Sequence, residues 1–389
     1  MAKIVALDGN DAVAEAMKQI NPHVVAAYPI TPQTDCMEKF AEFVSDGEVD
    51  TELILPESEH SAQSACVGAA ISGGRVMTAT ASQGLALMHE ILYVSSSFRL
   101  PIVMNVMNRA LNSPLNIHCD HSDSMPERDS SWIQIYGENA QEAYDNTIQA
   151  VRIAENENVS LPVMCMLEGF ITSHTIERLE ILDDEDVQDF VGDFNAVENP
   201  FLDTENPATY GPVDLQDYNF EHKRQQAEAM DHAPKVIEEM GHEFEKITGR
   251  KYGLVDTTET EDADRVIVVL GSTAGTTRSV VRELRKKGEN VGLLKIRSFR
   301  PFPKEEIVRT LEGVDKVAVL DRSNSYGGYG APLFMEVRNA LYDVDDRPQV
   351  YNYIYGLGGR DVTQDHIKKV FHDLEEGIEE RKQYLGLRE

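Results

Sequence analysis

From Ile4 to about Ser173, short apolar runs rich in β-branched residues alternate with amphipathic stretches. The runs Val24 to Ile30, Arg75 to Ser82, Pro101 to Met107 and Leu161 to Leu167 read as strands buried on both faces. Between them, Asp11 to Ile20, Ser58 to Ile71, Leu85 to Tyr93 and Ala140 to Glu155 carry helical periodicity. Strand and helix in alternation predict a doubly wound parallel sheet covered by helices, with ligands at the carboxyl ends of its strands.

Beyond His174 the texture changes. Six acidic residues crowd Asp183 to Asp193, and the turn-rich PATYGPVDLQDY follows without a clear period. His222 to Arg250 then reads as one long charged helix ending near Gly249. A second α/β unit begins near Asp264. Its strands are expected at Val266 to Leu270, Val291 to Ile296, Val317 to Leu320 and Val350 to Tyr353, and its helices at Thr276 to Lys287, Lys304 to Leu311 and Pro332 to Tyr342. A charged helix is expected from Gln364 to Tyr384. The division is therefore residues 1–174, an acidic connector with a long helix over 175–262, and a second α/β domain over 263–389.

The 389 residues are 41% hydrophobic and 26% charged, a composition of globular chains. No apolar run approaches a membrane span, and MAKIVALDGNDAVAEA lacks the basic and apolar regions of a secretion signal, so a cytoplasmic protein is expected. The formal charge of −31 argues against nucleic acid as a partner and against a docking face for an acidic protein. Cys36, Cys66, Cys119 and Cys165 stand singly. Buried reduced thiols are expected, because disulfide frameworks, zinc sites and iron–sulfur clusters draw on closely paired cysteines.

Four segments carry candidate chemistry. AYPITPQT (27–34) presents Thr31 on a proline-rich turn, which serves equally as an N-cap or as part of a ligand edge. PESEHSAQSACVGAAISGGR (56–75) opens a helix with Glu57 and Glu59, which can serve as helix-dipole partners or as functional carboxylates, and its small residues allow close approach of another backbone. In TATASQGLALMHE (78–90), Gly84 marks either a tight bend or a ligand approach, without the dinucleotide-binding glycine pattern. NRALNSPLNIHCDHSDSMPERD (108–129) places Arg109 after a strand and His118, Asp120, His121 and Asp123 in a long loop. Their spacing matches no common metal cluster, so hydrogen-bonded loop residues are expected and no metal is assigned.

In this order and spacing, the four segments resemble the pyrimidine-binding domain of the 2-oxoacid:ferredoxin oxidoreductases. LPVMCMLEGFITSH and GRKY continue the likeness, and GSTAGTTR, KIRSFRPFP and GLGGRD resemble the transketolase-C-like domain of the same subunit. The resemblance implies a thiamine-diphosphate-binding fold and, with pyruvate the nearest pattern, CoA-dependent oxidative decarboxylation with electrons passed to ferredoxin. Relatives of the same architecture use 2-oxoglutarate, branched 2-oxoacids or oxalate, and a non-catalytic scaffold is the reading from another class.

The resemblance gives Glu59 the contact to the cofactor's aminopyrimidine and the catalytic role, with Glu57 as competitor. Pro29, Gln83 and Gly84 are implied cofactor contacts, and Thr31 and Arg109 are implied contacts to the substrate carboxylate. No Gly-Asp-Gly element occurs; Asp8-Gly9 and Asp46-Gly47 lack its first glycine. The thiamine diphosphate is therefore expected to be shared with a beta subunit that holds the diphosphate and Mg²⁺. The [4Fe-4S] clusters are expected on gamma/delta-type subunits, with pyruvate, coenzyme A and ferredoxin as substrates of the complex.

Overall fold

The computed structural model describes residues 3–194 and 201–388, and within them two α/β sheets pack side by side. The first sheet has seven strands. Its centre is Val163–Glu168, Val103–Asn108, Val76–Thr80 and Val24–Ala26, all parallel and in that spatial order. The three strands other than Val24–Ala26 are buried along their whole length, as their unbroken apolar runs require. Val24–Ala26 stops well short of the expected Ile30. Pro29 and Pro32 have no N–H to donate to a ladder, so the chain leaves the sheet before them.

Helix starts follow local capping chemistry: Asp8, Ser58 and Asn139 each accept from a backbone N–H three residues on. Pattern reading missed three strands of the first sheet, Glu52–Ile54 at one edge, Ser298–Arg300 at the other and Ile133–Tyr136 next to it.

The segment read as a featureless acidic connector is largely ordered. Glu177–Ile181 pairs antiparallel with Lys3–Leu7, and the acidic patch forms the helix Asp184–Val191, which buries Val187, Phe190 and Val191. The long helix runs Asn219–Thr248 and ends on Gly249 in the left-handed conformation. The acidic residues hid an amphipathic face.

The second sheet has the order Lys382–Leu385, Gln349–Tyr355, Lys316–Asp321, Arg265–Val269, Val291–Ile296 and Val255–Thr258, parallel except for the last. Val255–Thr258, assigned from sequence to the connector, is thus its edge strand. The expected C-terminal helix ends at Glu376; Gly377, at φ 92°, turns the chain and Lys382–Leu385 returns as a strand. Ser298–Arg300, from the second unit, pairs with Ile133–Tyr136 of the first sheet. One apolar core accordingly runs through both units, with Trp132 and Tyr136 packed among Ile296, Phe299 and Leu333. All four cysteines are free and buried, and burial pushes the Cys66 and Cys165 thiols up to about 12. No helix among the described residues is long and apolar enough to cross a membrane.

Candidate active site

Because the four central strands of the first sheet are parallel, the segments that follow them converge on one edge. The proline-rich turn is held there by buried Gln33, whose Oε1 accepts from the Ile30 N–H at 3.1 Å and whose Nε2 donates to the Ala79 carbonyl at 3.0 Å. Pro29 and Thr31 stay exposed. Arg109 Nη1 donates to the Thr31 carbonyl at 2.8 Å, and Arg109 Nε to the Asn116 carbonyl at 3.3 Å. The two residues expected at a substrate carboxylate are thus hooked together. Arg109 Nη2 has no hydrogen-bond partner among the described residues.

Glu59 is the first residue of the helix Glu59–Ile71 and is buried, whereas Glu57 is exposed and accepts from the Ser61 hydroxyl, which lowers its pKa. That difference separates the two candidates. A Cβ on Gly84 would lie 2.8 Å from Glu59 Oε1 and 2.6 Å from Thr80 Oγ1, so only glycine at 84 lets the carboxylate sit against the turn. Thr80 Oγ1 is buried without a hydrogen-bond partner among the described residues. A buried carboxylate beside an orphaned hydroxyl suits a polar ring carrying both donor and acceptor atoms. Gln83 is half-buried next to them, its Oε1 accepting from Ser82 Oγ at 2.6 Å.

Ser82 has φ 46°, a region that a non-glycine residue enters at a cost of about 1–3 kcal/mol. Asp123 holds it there. Asp123 Oδ2 accepts from the N–H groups of Ser82 at 3.0 Å and Arg109 at 2.9 Å, and Oδ1 accepts from Asn108 Nδ2 at 2.8 Å. Burial still pushes the Asp123 carboxyl up to about 6. This one side chain fixes the distance between the Glu59–Gly84 corner and the Arg109 corner.

The other polar residues of the loop diverge. Asp120 faces the second unit, and His121 Nε2 lies 3.1 Å from Glu168 Oε1. Cys119, His121 and Glu168 come close enough to hold a metal, but Arg322 Nη1 sits 2.5 Å from Glu168 Oε2 and already neutralises that carboxylate. Burial alone would raise Glu168; Arg322 and His121 hold it down at about 2. Sequence reasoning overlooked Ser82, Asn116, Glu168 and Arg322. Ser82, Asn116 and Glu168 lay inside segments already singled out, but nothing in the local pattern marked them as contacts of the site.

These features place the chain in the class of α/β proteins that bind thiamine diphosphate through an edge of a parallel sheet. A family model described as pyruvate flavodoxin/ferredoxin oxidoreductase, thiamine diphosphate-binding, matches residues 15–242, and one described as pyruvate:ferredoxin oxidoreductase core domain II matches residues 263–367. The chain belongs to the pyruvate flavodoxin/ferredoxin oxidoreductase family. It is 58% identical over 387 residues to the pyruvate synthase subunit PorA of Thermotoga maritima, covering 99% of this chain and 98% of that protein. The PorA subunit of Methanocaldococcus jannaschii is 49% identical over 391 residues, covering 100% and 99%. The ketoisovalerate oxidoreductase subunit VorA of Pyrococcus abyssi is 44% identical over 377 residues, covering 97% and 94%.

Among solved structures, a 2-oxoglutarate:ferredoxin oxidoreductase from Magnetococcus marinus superposes with a TM-score of 0.74 at 20% identity. It covers 95% of this chain, which spans 65% of that longer one, and shows the fold. The chain is one subunit of a multi-subunit oxidoreductase, as its full-length relatives are.

Proposed function

We propose that this chain is the alpha subunit of a pyruvate:ferredoxin oxidoreductase, supplying the pyrimidine half of a thiamine diphosphate site and the contacts to the substrate carboxylate. The observation that carries the reading is the Glu59 carboxylate, buried against Gly84 beside the unpartnered Thr80 hydroxyl. When bound, thiamine diphosphate supplies the nucleophilic carbon and electron sink that decarboxylation of a 2-oxoacid needs.

Glu59 would hold a proton at a ring nitrogen of the bound aminopyrimidine. A carboxylate fixed at a helix start and shielded from water keeps that hydrogen bond strong. Pro29, Gln83 and Gly84 shape the wall around it. On the other side of Asp123, Arg109 offers Nη2 to a planar carboxylate, next to the exposed residue Thr31 whose carbonyl holds Nη1.

A beta subunit supplies the diphosphate and Mg²⁺ site, and gamma/delta-type subunits supply the iron–sulfur clusters. The missing Gly-Asp-Gly element and the four dispersed, buried thiols support that division. Expressed alone, the chain is expected to be colourless, iron-free and inactive with every 2-oxoacid. Mixed with those subunits it is expected to reduce ferredoxin or a dye with pyruvate in the presence of coenzyme A. Full turnover by the single purified chain would overturn the shared site.

A further inference from the structure

The loop that carries Arg109 is braced by the second α/β unit. Between Ala110 and His118 the chain has no helix or strand, and Leu115 is 67% exposed. Its fixed points are few. Ala110 N–H donates to the His118 carbonyl at 2.9 Å, and Asn116 Oδ1 accepts from the His118 N–H at 2.8 Å. Leu111 N–H donates to Ser122 Oγ at 2.8 Å and Ser82 Oγ donates to the Ala110 carbonyl at 2.9 Å within the first unit, and a further set of anchors crosses the domain seam.

Asn116 Nδ2 donates to the Gly358 carbonyl at 2.9 Å, the Gly358 N–H donates to Asp120 Oδ2 at 2.9 Å, and the His121 N–H donates to the Arg322 carbonyl at 2.8 Å. The turn that provides two of these bonds is Gly356-Leu357-Gly358-Gly359. Its three glycines have φ of 62°, 60° and 80°. A Cβ at Gly358 would lie 2.3 Å from Asn116 Nδ2, and one at Gly359 2.4 Å from the His118 Cβ. The turn therefore has both the backbone conformation and the bare surface that close docking onto this loop demands.

Asn116 has a second contact that gives the docking a consequence. Its carbonyl accepts from Arg109 Nε, so the residue pinned by Gly358 also sets the plane of the guanidinium. Thr31 fixes Nη1 from one side and Asn116 fixes Nε from the other. A planar fork held at two of its nitrogens presents the third in one direction.

We propose that the second unit takes part in substrate binding, with Gly358 as the fixed point and Asn116 as the residue that positions Arg109. The proposal rests on the reading of Arg109 as the contact to the substrate carboxylate. Neither Asn116 nor Gly358 touches the reacting atoms; both act through Arg109.

The test uses the assembled complex with pyruvate. Arg109→Ala is the reference, expected to lower kcat/KM about 10- to 150-fold, the range for a charge-assisted hydrogen bond. Asn116→Ala and Gly358→Ala are each expected to lower it about 3- to 10-fold, as for a neutral hydrogen bond, mainly through KM and with thiamine diphosphate affinity unchanged. In the Arg109→Ala background, Asn116→Ala is expected to add nothing, because its effect passes through the missing guanidinium.

Should Gly358→Ala fail to fold, the Asn116 cycle alone decides. An Asn116→Ala complex with wild-type KM, or one that loses as much without Arg109 as with it, overturns the positioning role while leaving Arg109 at the substrate. A wild-type KM in Arg109→Ala would instead overturn the reading of Arg109 itself.

Discussion

Two fully buried carboxylates stand at equivalent places in the two sheets, Glu168 at the end of Val163–Glu168 and Asp321 at the end of Lys316–Asp321. Their surroundings push them in opposite directions. Glu168 faces Arg322 and His121 and is held at about 2. Asp321 accepts only neutral donors, the Leu333 and Phe334 N–H groups and Asn352 Nδ2, and burial pushes it up to about 7. The first lies on the seam and binds the units together, whereas the second caps the helix Pro332–Ala340 inside its own unit.

The two sheet edges differ in the same way. In the first, Thr31, Glu59, Thr80 and Arg109 retain polar atoms with no hydrogen-bond partner among the described residues or remain open to solvent. In the second, Gly358, Asp321 and Ser272 have theirs engaged in capping and docking, with the Ser272 hydroxyl donating to Glu168, and Arg322 donates from Nη1 to Glu168 while its buried Nε stays unpartnered among the described residues. One architecture thus yields a reactive edge or a structural one, depending on whether its polar groups are already satisfied.

The largest expected effect falls on the open edge. Glu59→Gln keeps size and capping ability, so the thermal midpoint should hold. Turnover of the complex should fall about 10²- to 10⁴-fold, the range for a lost proton-transfer group. Retention of more than a tenth of wild-type turnover would move the role to Glu57.

On the closed edge the cost should be one of stability. Arg322→Leu leaves Glu168 buried without its cation, a change worth about 3–5 kcal/mol, readable in denaturant unfolding. If Arg322→Leu unfolds like wild type, the seam is not held by this pair.

The smallest effect is a dependence on pH. Asp321 is raised above its ordinary value of 3.8 to about 7, so folding favours its protonated form. Stability from this group is therefore greatest at low pH and is lost as pH rises from about 4 to about 7. Glu168 has the opposite sign, its contribution disappearing as pH falls from about 4.5 towards about 2. Thermal midpoints of Asp321→Asn between pH 4 and pH 8 should be flatter than wild type. An unchanged slope would show that the contrast between the two carboxylates has no thermodynamic weight.

Much of this was legible in the chain itself. Uninterrupted apolar runs such as VMCMLE can be satisfied only between two layers of helix, so the parallel sheets and their reactive edge follow from local pattern. The order of YPITP, ESEH, SQG and NRAL carried the family and the corner residues Thr31, Glu59, Gly84 and Arg109. Pattern failed where polar residues conceal a buried face, as in Asp184–Val191, and where a strand is too short to show a period, as in Glu52–Ile54 and Lys382–Leu385.

Which glutamate is buried, which loop acid spans the two corners and which arginine closes the seam were decided only in three dimensions. Asp123 meets Ser82 from 41 residues away, and Arg322 meets Glu168 across 154. Hydrogen bonds over such separations leave no local periodicity, because the partner's position depends on how the two sheets pack and not on any neighbour in the chain.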